Sequence, residues 1–372
     1  MVEVQILQEQ YICPSIRGHK IYIFFLSLSK NARARKSFGV FLCLMLFCVC
    51  SRSIVAATET DRQNSTDYHP FETRDQNLFN LIHGQALPTN ARLHEKSQYS
   101  WSSSLAITNT VNIQSNSIEN IYIDYESYRF NLAYQYGLNE NWNLKLDVPL
   151  IHQSGGIFDS SIDKWHDFFG LPEGQRPGVM HDQYEIQYGY QSQSLLNLNE
   201  SSTTLGDIQI AIARLMIENK DTTMSLWASI KLPTGDKNKL SGNGATDFST
   251  WFALNQRLSR NWLVNLNAGL VVLGNDTYQD IPLSDHALYG HLMLGWIATD
   301  NVNLKIQLQG HSSYYDNSQL DILGDTYFLT FGTAIKINNC QQLDIAVSED
   351  IKVGSSPDIS LLISWRSYTS GC

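Results

Sequence analysis

This chain is short of several features that would assign it to a common class. Past residue 57 it has no apolar run approaching the roughly twenty residues a transmembrane helix needs, so a helical membrane protein is excluded. Cysteine is scarce, with six in 372 residues, and Cys13, Cys43, Cys48 and Cys50 fall within the first fifty. The remaining pair, Cys340 and Cys372, rules out a disulfide-dense scaffold or a cysteine-built metal cluster. They read either as one disulfide or as two free surface thiols. Positive charge is also low, with 26 Lys and Arg against 36 Asp and Glu. That balance argues against nucleic acid as a partner, because phosphate binding relies on Lys and Arg clusters.

What is present begins with a targeting signature. Lys30, Arg33, Arg35 and Lys36 precede an apolar run from Phe38 to Cys50, and Val55 and Ala57 are spaced for cleavage after Ala57. Thirteen apolar residues are too few to span a bilayer, and no acylated-cysteine box is present. Residues 1–29 lie ahead of this signal and read as an over-extended start. Seven basic and two acidic residues leave with residues 1–57, taking the net charge from −10 to −15. Three parts follow: an extended n-region with a cleaved signal (1–57), a polar periplasmic leader or partial plug (58–98), and an outer-membrane barrel (99–372). The leader carries one apolar patch, Asn77-Leu78-Phe79-Asn80-Leu81-Ile82.

The barrel reading rests on turns and alternation. Five short polar turns sit near residues 138–141, 218–221, 259–261, 299–301 and 338–340, each followed by a longer connection. Tight periplasmic turns and free outer loops are what a bilayer imposes on an up-and-down barrel. Alternation predicts twelve strands, at roughly 99–109, 127–137, 142–151, 205–217, 222–232, 246–257, 262–273, 286–298, 302–313, 325–337, 341–350 and 357–368. In the ninth, Val302, Leu304, Ile306 and Leu308 oppose Asn303, Lys305, Gln307 and Gln309. The polar face carries both signs of charge: Arg129, Lys145, Asp147, Asp207, Lys231, Lys305, Lys336, Asp344 and Arg366. These residues are expected to line a narrow lumen cross-linked by ion pairs. Trp142, Trp262, Trp296 and Trp365 lie on the apolar face near strand ends, where an interfacial girdle would sit. The expected fold class is all-β: a transmembrane up-and-down antiparallel barrel. One irregularity is the tail Thr369-Ser370-Gly371-Cys372 after Tyr368, since many such barrels end on an aromatic residue.

Three segments could carry chemistry. In the longest loop, residues 160–172 read as a short helix, capped by Ser161, ended by Gly170 and blocked by Pro172. Its Ile162, Trp165, Phe168 and Phe169, with His166, form either a gate over the mouth or a face packed on the rim. Pro233, Gly235, Asp236, Gly242, Gly244 and Asp247 shape a compact outer loop. Asp236 and Asp247 could bind a cation, but tight turning explains these residues without a metal, and the run lacks the strand–loop–helix context of a phosphate loop. No metal or cofactor is expected. His152 and Ser154, two apart on one strand face, match the spacing used by some outer-membrane lipid hydrolases. His311 and Ser313 share that spacing; parity turns the first pair to lipid and the second to the lumen.

Several blocks together resemble a known family. They are Asn77-Leu78-Phe79 with Leu87-Pro88 and Ala91-Arg92-Leu93; Glu126-Ser127-Tyr128-Arg129; His152 with Ser154-Gly155-Gly156 and Asp159; Trp165 to Pro172; Leu205-Gly206-Asp207; and Lys231 to Asp236 with Ser241 to Asp247. The pattern resembles the proteobacterial outer-membrane family catalogued as domain of unknown function family 3187, over about residues 77–247 and more loosely beyond. The Leu-Pro-Thr-Gly-Asp loop is also similar to loops in barrels linked to aromatic-compound degradation. The resemblance implies an outer-membrane barrel and assigns no catalytic residue. The expected function is a passive channel or binding barrel for a small solute. A structural or adhesive barrel and a lipid hydrolase remain as alternatives. Expected partners are outer-membrane lipid and lipopolysaccharide, the barrel-assembly machinery and the solute.

Overall fold

Strict side-chain alternation leaves each strand with one face for hydrocarbon and one for the interior, and the sheet closes on that pattern. The computed structural model describes residues 54–55, 69–159, 182–352, 354–357 and 359–369. Twelve antiparallel strands make the wall. They are β1 (Tyr99–Ser115), β2 (Glu119–Asn139), β3 (Trp142–Ser154), β4 (Gln209–Glu218), β5 (Thr222–Lys231) and β6 (Asp247–Arg257), then β7 (Trp262–Val272), β8 (His286–Ile297), β9 (Val302–His311), β10 (Thr326–Asn338), β11 (Gln341–Asp350) and β12 (Ile359–Tyr368). The last strand returns to the first, pairing Ile359 with Asn109 through to Tyr368 with Ser100. The ring is therefore closed, with no unpaired edge to template aggregation.

Inside and outside sort as the alternation predicts. On β9, Leu304, Ile306 and Leu308 are exposed to the bilayer side, while Asn303, Lys305, Gln307 and Gln309 are buried. Trp101, Trp262, Trp296 and Trp365 face outward at the turn end of the barrel, with the Trp262 and Trp296 rings stacked 6.2 Å apart. Trp227 and Trp251 point the other way and stack within the lumen.

Three boundaries differ most from the sequence reading, each for a local reason. The first two strands run well past the expected 109 and start before 127, so the connection between them shrinks to residues 116–118. Ile121, Ile123 and Tyr125 are buried there, because the extended β2 also pairs with a hairpin from the long loop, Glu185–Tyr190 with Gln193–Leu198. That hairpin, and a smaller one at Thr277–Tyr278 and Ile281–Pro282, occupy expected loops. The fourth strand begins at Gln209 rather than 205. Its seam with β3, from Trp142–Arg214 to Asp147–Gln209, is the shortest of the twelve. Pro149 lies just beyond, with its carbonyl accepting from Gly206 N at 2.8 Å. Both backbone polar groups of a strand residue point toward the same neighbour, so Pro149 has no donor for that ladder. Ser202–Leu205 then pairs with the outer end of β3 as a separate strand.

The expected loop helix at 160–172, with Ile162, Trp165, His166, Phe168 and Phe169, lies outside the described residues. So does the expected signal, apart from Ile54–Val55, which pairs in parallel with Ile217–Glu218. Cys340 is disulfide-bonded; Cys372 lies outside the described residues.

Because the wall is one ring with its apolar side in lipid, a charge on that side has a definite cost. Replacing Ile306 by Arg at mid-strand is expected to lower folding stability by about 2–4 kcal/mol, measured by equilibrium unfolding from lipid bilayers.

Candidate functional site

The wall turns polar side chains into a lumen, and that lumen is occupied by the chain's own residues 69–93. They enter at the turn end, rise along β9 to β12, reverse at a four-residue helix and descend along β5 to β7. On the rising limb, Lys305 Nζ donates to His69 O at 2.9 Å and lies 4.1 Å above the Phe71 ring. Gln307 exchanges two bonds with the Phe71 backbone, accepting from its N at 2.9 Å and donating to its O at 3.1 Å. Glu72 pairs with Arg366 at 2.8 Å and Asp75 with His311 Nε2 at 3.1 Å.

The reversal is built from capping chemistry. Asn77 accepts from Phe79 N at 3.0 Å and caps the helix Leu78–Leu81, while its amide donates to Ile322 O at 2.7 Å in an outer loop. Arg74, on the rising limb, donates to Leu81 O at 2.6 Å and His83 O at 3.2 Å, and also to Gln85 O. One guanidinium thus satisfies carbonyls at and after the helix end that have no intrahelical donor and ties the two limbs together. Leu78, Phe79 and Ile82 pack into an apolar cluster roofed by Ile121, Tyr188, Leu240, Tyr315 and Ile322 from the outer connections.

The falling limb is held by neutral amides and hydroxyls. Ser249 donates to Gly84 O at 2.5 Å, and a Cβ on Gly84 would come within 2.6 Å of the Asp247 Cβ, so no larger residue fits the passage. Trp251 donates to Thr89 Oγ1 at 2.8 Å. Asn267 accepts from Thr89 N at 2.8 Å and donates to Thr89 O at 3.0 Å.

Lys231 joins wall, outer loop and insert at one ammonium. It pairs with Asp207 at 2.5 Å and Asp247 at 3.2 Å, donates to Ile82 O at 3.0 Å and also bonds Asn243. Asp207 in turn accepts from Gly235 N at 2.8 Å and Asn243 N at 3.3 Å, folding the outer glycine loop inward. Asp247 accepts from Gly274 N at 3.0 Å and Asn243 Nδ2 at 2.9 Å. Gly242 lies against the Asp207 carboxylate, Gly244 adopts positive φ, and Pro233 stands exposed at the loop's start. Asp236 instead caps the turn Lys237–Lys239 through Asn238 N. The two loop carboxylates are therefore committed to separate tasks, and among the described residues no His, Cys, Asp and Glu cluster suits a metal.

Of the other wall charges, Lys145 pairs with Asp147 at 3.1 Å and Lys305 with Asp344 at 3.0 Å. Arg129 is buried, and Lys336 is half-buried near the turn end. His152 and Ser154 face outward at the rim, beside a shallow hollow of about 460 Å³ lined also by Tyr128, Gly155, Gly156, Ile157 and Asp182. The His152 Nδ1 bond goes to Thr203 Oγ1 at 2.8 Å, not to Ser154. The nearby acid Glu126 is taken by Tyr128 and by Ile157 N and Phe158 N. Among the described residues, nucleophile, base and orienter are not brought together there. His311 faces the lumen and is committed to Asp75 and to Ser312 O. Above the barrel, Tyr184 donates to Gln153 at 2.6 Å, and burial pushes its phenol up to about 12.

The insert's own charges escape the alternation rule. Glu72, Arg74 and Asp75 sit in a segment with no strand period; the available signal was a cluster of charge around Phe71 in an otherwise polar leader. Glu119 was missed too. It accepts from Tyr188 OH at 3.0 Å and Gln319 N at 2.7 Å, clasping the outer hairpin to the loop after β9.

Lys231→Met strands Asp207 and Asp247 without their cation. The expected loss is about 3–5 kcal/mol, read by chemical unfolding of the folded protein in detergent. Adding Asp207→Asn recovers part of it.

Among solved structures, the COG4313 outer membrane channel from Pseudomonas putida F1 shares the fold. The match covers 76% of this chain and 100% of that one at 12% identity, with a TM-score of 0.52. The P. putida toluene transporter TodX aligns over 73% of this chain and 90% of its own, at 8% identity and a TM-score of 0.37. No curated protein matches the chain. The family model described as "Protein of unknown function (DUF3187)" matches residues 46–368, and the chain belongs to that family.

Proposed function

We propose that this protein is a passive outer-membrane channel for a small solute, held closed by its own residues 69–93. The observation that carries this reading is the chemistry of the wall under the insert. Asn265, Asn267, Gln307, Gln309, Ser225, Ser229 and the charged residues turn inward. Such a surface is wetted as readily as it is hydrogen-bonded, whereas a barrel built only as a scaffold gains more from an apolar core. The limbs of the insert are held by hydrogen bonds and ion pairs that water can replace, its tip by apolar packing, and its falling limb makes mainly neutral contacts. The fold likeness to a protein described as an outer membrane channel supports the same reading. With a cleaved signal at residues 30–57, the chain would reach the outer membrane through the assembly machinery and sit among lipid and lipopolysaccharide.

A second reading, a structural or adhesive barrel, draws on the filled lumen itself and on the outer hairpin clasped by Glu119. The two separate in a planar bilayer. For the channel, refolded wild-type protein shows rare openings and a variant lacking residues 70–92 conducts steadily. The vacated wall presents Arg129, Lys145, Lys231, Lys305 and Arg366 against Asp147, Asp207, Asp247 and Asp344, so that current should favour anions mildly. Silence from both proteins, with the barrel shown folded by its resistance to heat and detergent, removes the channel reading.

A further inference from the structure

Between the insert and the wall lies a small enclosed cavity lined by Arg74, Arg129, Asn131, Asp147, Asp207 and Lys231, among others. We propose that it is a binding site for one small monovalent anion of halide type, which joins Arg129 of the wall to Arg74 of the insert. Arg129 is 8% exposed, and among the described residues its guanidinium has neither an ion-pair partner nor a hydrogen bond. Arg74 spends its terminal nitrogens on three backbone carbonyls, but its Nε is buried with no partner. Buried polar groups are almost always satisfied by protein, water or an ion, so the Arg129 guanidinium, with Arg74 lining the same cavity, calls for an acceptor there.

Local charge points to an anion rather than a neutral acceptor. The two carboxylates lining the cavity are already engaged, Asp147 by Lys145 at 3.1 Å and Asp207 by Lys231 at 2.5 Å. Lys231 also serves Asp247 at 3.2 Å. Around the cavity Arg74, Arg129, Lys145 and Lys231 face Asp147, Asp207 and Asp247, with Asp75 acting on Arg74 from farther off. Asp75, the charge that would balance the lumen as a whole, is turned to Asn77 N, Asn80 and His311. Arg129 is left without a carboxylate at contact distance where water is nearly excluded, and a buried charge without a close partner is strongly unfavourable. The competing occupant is a water, which would serve Arg129 and the unpartnered Asn131 Oδ1 but leave that charge uncompensated.

Size sets the class of anion. The space open to the centre of a water-sized body is about 10 Å³, room for roughly one such body. Chloride or bromide fits; sulfate, phosphate or an organic carboxylate does not. Since the two guanidinium groups belong to different parts of the molecule, the anion would also pin the insert to β2. This site stands whether or not the barrel conducts.

Crystals of the intact protein soaked in sodium bromide, measured at the bromine absorption edge, test it directly. An anomalous peak between Arg129 and Arg74 is the expected result; a cavity without bromide, or holding only water, overturns the proposal. In detergent at constant ionic strength, exchanging gluconate for chloride should raise the melting temperature with the logarithm of chloride concentration. Arg129→Gln should abolish that dependence. A melting temperature indifferent to chloride, or the same dependence in Arg129→Gln, also overturns the proposal. Should Arg129→Gln fail to fold, the bromide map of the wild-type protein decides.

Discussion

A closed strand ring this narrow forces every second side chain into a space with little room for bulk water. In a barrel of twelve strands that space is intermediate between one filled by side chains and an open aqueous pore. The inward residues here are amides, hydroxyls and charges, and each needs a partner. The hairpin of residues 69–93 supplies it. Gln307 bonding both backbone groups of Phe71, and Asn267 doing the same for Thr89, show the wall treating the insert as it would a further strand. The rest of the architecture follows from that need: the inward-folded glycine loop, the apolar roof over the helix, and the shared ammonium of Lys231.

The two limbs are held by different physics. Glu72 anchors the rising limb through a buried charge pair with Arg366, which breaks at high cost if one partner is lost and gains little if both are replaced. Asp75 adds hydrogen bonds with Asn77 N, Asn80 and His311. The falling limb relies on Ser249, Trp251, Asn265 and Asn267, whose individual bonds contribute about a kilocalorie each. Specific placement thus resides mainly in the first limb and adaptable contact in the second. Outside the wall, the packing has a different origin. Ile121, Ile186, Tyr188 and Tyr315 bury apolar surface above the bilayer, so the roof is a small soluble-type core set on a membrane barrel.

The wall was legible because its signal repeats. Val302 to Gln309 alternates without a fault, and a one-residue error anywhere would have put Lys305 into lipid. Strand ends were less legible. Nothing between Thr110 and Glu126 marks where hydrocarbon stops, and alternation continues there for another reason, the pairing of β2 with the outer hairpin. Pro149 was a readable break, but its effect falls on a strand sixty residues later, which single-strand periodicity does not reach. The lumen charges were legible by parity, yet their partners were not. Glu72, Arg74 and Asp75 lie in an aperiodic segment; only the folded ring brings Glu72 and Asp75 beside Arg366 and His311, while Arg74 meets His83 within the insert itself. For the same reason His152 and Ser154 looked like a pair by spacing, although Thr203 takes the imidazole.

Both limbs of the hairpin leave the lumen at the same mouth, the one bordered by Tyr99 and Tyr368. The segment is therefore a bight pushed into a tube, not a thread passed through it. Over the described residues it is unlinked from the ring, so its withdrawal would part no seam. Motion of that kind would exchange its lateral bonds for water, one level at a time from the turn end upward, and draw Leu78, Phe79 and Ile82 out of the apolar roof.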